Sequence, residues 1–179
     1  NGMAHLSLPP AMSAMELFQR LSAIKKGSAH KVVLRVGPDV ELDLAGPGLS
    51  KLCEWFRDVE GRPATVVVCH GTAQGLTGLL LAMLADWVLV TEEVLFDMTD
   101  LPLVVYSCMA ERFGVQGCGR LFLTQSMSAA QAAEVGLASC VIELSNELDD
   151  KVLGLPGRTD FRHQTLLSEA LVRDAEMCH

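Results

Sequence analysis

The stretch CHGTAQGLTGLLLAMLADWVLV, Cys69–Val90, constrains the fold of this chain more than any other. A strand-like apolar run ends at Cys69, a turn that contains glycines follows, and the next residues are almost continuously apolar. A strand that passes through such a turn into a helix presents the unpaired amide hydrogens of the helix N-terminus at the turn. The sequence therefore predicts a strand, a tight turn and a helix, with a binding place for a negatively polarised oxygen between them.

Strand and helix patterns alternate through the rest of the chain. The runs HKVVLRV, VELDL, PATVVVC and LASCVIEL predict strands, as do Trp87–Thr91 and Val94–Phe96. Ser13 and Ser128 each begin a capping-box pattern, SAME and SAAQ, which predicts the start of a helix. Apolar residues recur at helical spacing over Leu49–Val59. This alternation predicts an α/β domain with largely parallel strands.

The C-terminal part differs in composition from this core. Glycine and proline residues over Asp149–Arg158 predict a loop, and an amphipathic pattern predicts a last helix over Asp160–Cys178. We therefore expect a core over residues 1–148 and, over 149–179, a linker and a helix. That helix is expected to pack on the core or on a neighbouring subunit.

Charge and hydropathy exclude some classes of protein. The net charge is −8 over 179 residues, without a basic stripe that could neutralise phosphates, so we expect no nucleic-acid partner. Asp86 interrupts the longest apolar run, and the N-terminus lacks the pattern of a secretory signal, so we expect no membrane span. Six scattered cysteines without a C-x-x-C pair indicate a reducing, cytoplasmic setting and no metal site.

Two segments together resemble the crotonase (enoyl-CoA hydratase/isomerase) superfamily. That family shows G-x-A-x-G-G-G between a strand and an apolar helix, and Gly71, Ala73 and Gly75 match it, with Asp86 at the helix end. The second segment, LFLTQSMSAAQAAEVGLASCVIE over Leu121–Glu143, resembles the family's L-x-L-T-G-x-x-x-S-A pattern.

The similarity covers roughly residues 2–143, and the chain resembles a divergent, shortened member, with Gln125 in place of a family glycine. It implies an α/β, crotonase-like (ClpP/crotonase) fold of stacked ββα units followed by C-terminal helices. Such proteins usually assemble as homotrimers or hexamers, which is our expectation here.

The resemblance implies an acyl-thioester substrate, carried by coenzyme A or by the phosphopantetheine arm of an acyl-carrier protein, and no further cofactor. Two backbone amides would hold the thioester carbonyl and stabilise an enolate. One amide lies in the turn of Gly75 and Leu76, and the other in the loop LAGPGL. Pro47 occupies the usual donor position and has no N–H, so Gly48 is the remaining candidate.

The family's acids are the weak part of the match. One glutamate position falls on Leu79 or Leu80, and the second falls near Asp100, with Asp97 close by. Loss of both glutamates is compatible with decarboxylation, which needs a held enolate and one acid. The candidates for proton transfer are His70, Tyr106 and Asp100, with His163 reaching a neighbouring site. Each candidate also has a purely structural interpretation. His70 would end a strand, Tyr106 would line the wall of a pocket, Asp100 would lie in a surface turn, and His163 would begin a helix.

These features favour an enzyme that decarboxylates, dehydrates or hydrates a 3-substituted acyl chain, similar to crotonases of polyketide biosynthesis. The alternative is a catalytically inactive crotonase-fold scaffold or binding protein. A Clp-type serine peptidase is disfavoured, because Thr72 and Thr77 are poor nucleophiles without an evident His/Asp pair.

Overall fold

The computed structural model describes residues 2–58, 61–121, 124–143 and 148–156, with the backbone alone over 115–120. The chain divides into two compact units, Asn1–Ser145 and Asn146–His179, and each is described by itself. In chain order the elements of the first unit are β1 (Met3–Ser7), β2 (Ala11–Ser13), α1 (Ala14–Lys25), β3 (Lys31–Val36), β4 (Glu41–Asp43), α2 (Gly48–Arg57), β5 (Ala64–Cys69), β6 (Ala73–Gln74), α3 (Leu76–Leu84), β7 (Trp87–Thr91), β8 (Leu95–Asp97), α4 (Leu103–Leu121), β9 (Ser126–Ser128), α5 (Ala129–Glu134) and β10 (Cys140–Ile142).

The first unit repeats one supersecondary motif. A long strand, a short strand and a helix follow one another four times, as β1-β2-α1, β3-β4-α2, β5-β6-α3 and β7-β8-α4. The long strands form a parallel sheet with the order β1-β3-β5-β7-β10. The short strands form two small sheets, β2-β4 and β6-β8-β9. The predicted α/β architecture with parallel pairing and ββα units is confirmed.

The central strand shows why the sheet is parallel and covered on both faces. All six residues of β5 are buried, as expected when helices or other layers pack on each side of a strand. Helix α3 packs against this layer with its own buried run, and Leu79, Leu80 and Leu81 are fully inaccessible. Strand β5 and helix α3 therefore lie at the centre of the core.

Serine caps begin two helices, as predicted. The Glu16 amide donates to Ser13 Oγ at 3.1 Å, although the Glu16 carboxylate accepts a hydrogen bond from Arg20 instead of completing the capping box. At α5 the box is complete, because the Gln131 amide donates to Ser128 Oγ and the Ser128 amide donates to Gln131 Oε1.

Helix α4 contains a break that its sequence pattern concealed. Gly114 has φ +70° and ψ +170° inside it, so two helical segments meet there. The β-branched pair Val104-Val105 and the glycine-rich second half give no clean helical period, and no helix was predicted over this region.

The second unit corrects the predicted loop over Asp149–Arg158. Its described part holds a helix, α6 (Leu148–Gly154), with Leu148 and Val152 buried four residues apart. Asp149 and Asp150 lie in the first turn, where negative charge complements the helix dipole. His163 and the predicted helix Asp160–Cys178 lie outside the described residues. Among the described helices, none has the length and hydropathy that a membrane span requires.

Candidate active site

The starts of α2 and α3 differ from the starts of the two serine-capped helices. Helix α2 begins at Gly48 after Pro47, and α3 begins at Leu76 after Gly75. Neither N-cap residue makes a side-chain hydrogen bond to the helix, and neither first turn contains an acidic residue. The first amides of a helix have no acceptor within the helix. The two helix starts that the resemblance marks as oxyanion donors therefore lack the serine cap that α1 and α5 have.

A buried hydrogen bond fixes α3 relative to the chain that leads into α2. The Leu42 amide in β4 donates to Thr77 Oγ1, in the first turn of α3, at 2.8 Å. Strand β4 ends at Asp43, and the loop from there to Gly48 is short. Thr77 thereby ties together the two segments that carry the candidate donors.

The surroundings of the two glycines are unequal. Gly75 is exposed, with ordinary extended backbone angles, and a Cβ built on it would meet no atom within 4 Å. Gly48 is buried, and a Cβ there would collide with the backbone nitrogen of Met15 in α1. The space beside Gly75, before α3, is therefore open, whereas the start of α2 at Gly48 is closed on the side of α1.

The other end of α3 is held by two arginines. Arg62 donates to both carboxylate oxygens of Asp86, at 2.6 and 2.9 Å, and Asp86 also accepts from the Thr65 amide. Arg112 donates from α4 to the carbonyl oxygens of Ala82, Met83, Ala85 and Leu137. The last carbonyl oxygens of a helix have no partner within it and are commonly bound by such cations. Because Arg112 is largely buried there, the pKa of its guanidinium is lowered. These contacts fix the C-terminus of α3 inside the protein.

His70 lies in the turn between β5 and β6, and its ring packs against Gly37. A Cβ on Gly37 would be 3.4 Å from His70 Cε1. The buried side chain of Gln74 donates from Nε2 to the His70 carbonyl oxygen at 2.7 Å. Its Oε1 occupies the space where a Cβ on Gly78 in α3 would lie. One glutamine side chain therefore connects the His70 backbone with the first turns of α3.

The residues at the predicted acid positions differ in their surroundings. Leu79 and Leu80 are fully buried in the core, so neither side chain is available for proton transfer. Asp100 is exposed in the turn before α4, with φ +49°. Asp97 accepts hydrogen bonds from the Thr99 hydroxyl and amide, which lower the pKa of its carboxyl. Asp97 thus stabilises its own turn.

A cavity of about 460 Å³ lies between α2 and α4, within the size range of small-molecule sites. Tyr106 is half-buried on α4 and packs against the core, two residues from Val104, which lines the cavity. Gly46, from the loop before α2, lines it as well. Its lining residues are Gly46, Leu49, Ser50, Cys53, Glu54, Arg57, Val104, Ser107 and Cys108.

Solved structures of enoyl-CoA hydratase/isomerase proteins share this architecture, and the chain has the crotonase fold. An enoyl-CoA hydratase/isomerase from Marinobacter aquaeolei aligns with a TM-score of 0.68 at 20% identity, over 98% of this chain and 86% of that chain. An enoyl-CoA hydratase from Shewanella pealeana gives 0.70 at 15% identity, over 94% and 77%. A Legionella pneumophila protein assigned as an enoyl-CoA hydratase/isomerase (crotonase) gives 0.69 at 15%, over 99% and 86%.

No protein-family model matches the sequence, and no curated protein sequence is significantly similar to it. The resemblance deduced from the two motifs is thus confirmed for the fold, in a divergent chain.

Sequence reasoning found the two glycine turns but missed the side chains that support them. Thr77 and Gln74 lie within the motif, yet nothing in the spacing identifies their partners in β4 and at His70. Arg62 and Arg112 bind groups more than twenty residues away along the chain. The one available signal was Asp86, a charged residue at the end of an apolar helix, which needs a partner when buried.

Proposed function

We propose that this protein binds an acyl thioester, on coenzyme A or on a carrier-protein arm, with its carbonyl oxygen at the uncapped starts of α2 and α3. The observation that carries the proposal is the absence of side-chain caps at these two helices within the crotonase fold, next to serine caps at α1 and α5. Amides of Gly48 and Leu76 are the donors. Each preorganised donor aimed at a developing oxyanion is worth roughly 3 kcal/mol of transition-state stabilisation.

The reaction we propose proceeds through an enolate without the two-glutamate chemistry of a hydratase. In decarboxylation the bond to the carboxylate breaks, carbon dioxide leaves, and the electron pair moves onto the thioester oxygen. The buried leucines at positions 79 and 80 support this choice, because neither can move a proton. The remaining proton donor is proposed among His70, Tyr106 and Asp100. Dehydration or hydration of a 3-substituted chain uses the same held enolate and is the second outcome of the test.

The experiment is a panel of malonyl-, glutaconyl- and 3-hydroxyacyl-CoA thioesters with the purified chain. Product analysis by mass spectrometry identifies turnover, and calorimetry with a non-hydrolysable acyl-CoA analogue measures binding. Carbon dioxide release from malonyl- or glutaconyl-CoA supports the proposal. His70→Ala, Tyr106→Phe and Asp100→Asn then identify the donor, because its loss is expected to cost at least tenfold in kcat.

A catalytically inactive scaffold is the alternative, and the replaced acids favour it directly. Binding of the analogue without turnover of any thioester is the result expected for that role. Absence of both binding and turnover overturns the acyl-thioester proposal altogether.

A further inference from the structure

Two cysteines face each other from different helices at the cavity wall. Cys53 of α2 and Cys108 of α4 are 6% and 3% exposed, and both line the 460 Å³ cavity. The two thiols are close enough for Cys108 to be the largest influence on the pKa of Cys53. The sequence offered no sign of this pair, since the two residues are far apart along the chain.

An ion pair between the same two helices is separate evidence that the cysteines lie near each other. Arg57 Nη2 lies 2.6 Å from Glu111 Oε1. Arg57 follows Cys53 by four residues and Glu111 follows Cys108 by three, so each pair occupies one stripe of its helix. The ion pair and the thiol pair are therefore successive contacts along one α2–α4 interface.

The electrostatic surroundings of the two thiols differ. The pKa of Cys53 is lowered to about 7, chiefly by a hydrogen bond from the Cys108 thiol and further by the charge of Arg57. Burial and the carboxylates of Glu111 and Glu54 oppose this shift. The pKa of Cys108 is raised by its interaction with Cys53 and by burial, so Cys108 stays protonated. Because the thiolate is the reactive form, Cys53 is the nucleophile of the pair.

We propose that Cys53 and Cys108 form a peroxide-reactive dithiol site, which closes as a disulfide between α2 and α4. The oxidant is a hydroperoxide small enough to enter the cavity. Among the described residues, no group of three or more His, Cys, Asp or Glu side chains could hold a metal ion, so the pair is not part of a metal cluster there.

The chemistry balances in two steps. The Cys53 thiolate attacks one peroxide oxygen, the O–O bond breaks, and the leaving hydroxide takes a proton from solvent, which leaves a sulfenic acid on Cys53. The Cys108 sulfur then attacks the Cys53 sulfur, the S–O bond breaks, and the hydroxyl leaves as water with the Cys108 proton. The two thiols lose two electrons, and hydrogen peroxide is reduced to two waters.

The geometry favours closure without rearrangement of the fold. A disulfide requires Cα atoms about 4.4–6.8 Å apart. Cys53 and Cys108 line the same cavity from helices that the Arg57–Glu111 ion pair holds together, so a short approach of the two side chains is enough to close it. Closure would join the two walls of the cavity covalently. This site is separate from the proposed acyl-thioester chemistry, which uses neither sulfur atom.

The test uses the purified, reduced full chain treated with hydrogen peroxide at neutral pH. Free thiols are blocked with N-ethylmaleimide, and peptides from a non-reducing digest are mapped by mass spectrometry. The expected result is a Cys53–Cys108 linked peptide as the main disulfide, which is lost on reduction. Both thiols blocked as free cysteines, while the exposed Cys140 is oxidised, would overturn the proposal.

Single variants separate the two steps. In Cys108→Ser we expect a sulfenic acid on Cys53, trapped by dimedone, and no linked peptide. In Cys53→Ser we expect Cys108 to remain a free thiol under the same treatment. Oxidation of Cys108 in that variant would contradict the assigned order of attack. If a variant does not fold, the peptide map of the parent protein still tests whether Cys53 and Cys108 form a disulfide.

Discussion

Arg62 and Asp86 are joined by two hydrogen bonds, of 2.6 and 2.9 Å, with side chains only 1% and 9% exposed. Asp86 follows α3, and Arg62 lies just before β5, so the pair fixes the end of α3 to the start of the central strand. Arg62 also donates to the Phe56 carbonyl oxygen at the end of α2. One buried arginine therefore connects the ends of both helices whose starts form the candidate site.

Replacing Arg62 by methionine is expected to lower the free energy of unfolding by about 3–5 kcal/mol, because it removes the cation that makes two hydrogen bonds to the largely buried Asp86 carboxylate. Equilibrium unfolding in urea measures the change. The matched control is Arg57→Met, which breaks the exposed pair with Glu111 and is expected to cost at most about 1 kcal/mol. Equal losses in the two variants would contradict the structural role given to Arg62.

The buried hydrogen bond between Leu42 and Thr77 predicts a second stability effect. Thr77→Val keeps the shape of the side chain but leaves the Leu42 amide without its acceptor, at an expected cost of about 1–3 kcal/mol. Thr77→Ser retains the hydroxyl and serves as the control. Urea unfolding of both variants checks this, and a valine variant as stable as the serine variant would show that the bond contributes nothing.

Gly75 provides a test of the proposed carbonyl site that is independent of stability. Its backbone angles suit any residue, and a Cβ there meets no atom. Gly75→Ala is therefore expected to unfold within a few tenths of a kcal/mol of the parent. Gly75→Leu extends into the space before the α3 amides and is expected to weaken binding of an acyl-CoA analogue at least tenfold, as measured by calorimetry. Unchanged affinity in the leucine variant would place the carbonyl elsewhere.

Local sequence patterns were sufficient wherever the interaction is local. The capping box of Ser128 and Gln131 spans three residues, and the buried run of β5 follows from its composition, so both were predicted correctly. Helix α6 was missed because Gly154, Pro156 and Gly157 dominate the segment in which it lies, although Leu148 and Val152 are buried four residues apart.

The supports of the candidate site could not be predicted, because they join residues that are distant in sequence. The contacts of Arg112 with Ala82 and of Leu42 with Thr77 depend on how the ββα units stack. The glycines of the two turns were recognisable because a motif carries them. Their different surroundings, open at Gly75 and closed by Met15 at Gly48, appear only in the packed fold.

The charges around Cys53 predict how the alkylation rate of its thiol depends on pH, and two variants should shift this dependence in opposite directions. A thiol reacts with iodoacetamide as its thiolate, so the rate at Cys53 should rise with pH and reach half its plateau near pH 7, given the pKa of about 7. Arg57→Gln removes a positive charge that lowers this pKa, and its midpoint should move to higher pH. Glu111→Gln removes a negative charge that raises the pKa, and its midpoint should move to lower pH.

Rates at each cysteine, resolved by mass spectrometry at low ionic strength where exposed charges are least screened, provide the measurement. Cys69 is the internal control, since burial raises its pKa to about 12 and it should not react in the same range. The Arg57 and Glu111 variants separate the effect of charge from a loss of packing. A general loosening of the α2–α4 interface would move the midpoint of both variants upward, toward the pKa of about 8.5 of an unperturbed cysteine. Opposite shifts are the result that only the charges explain.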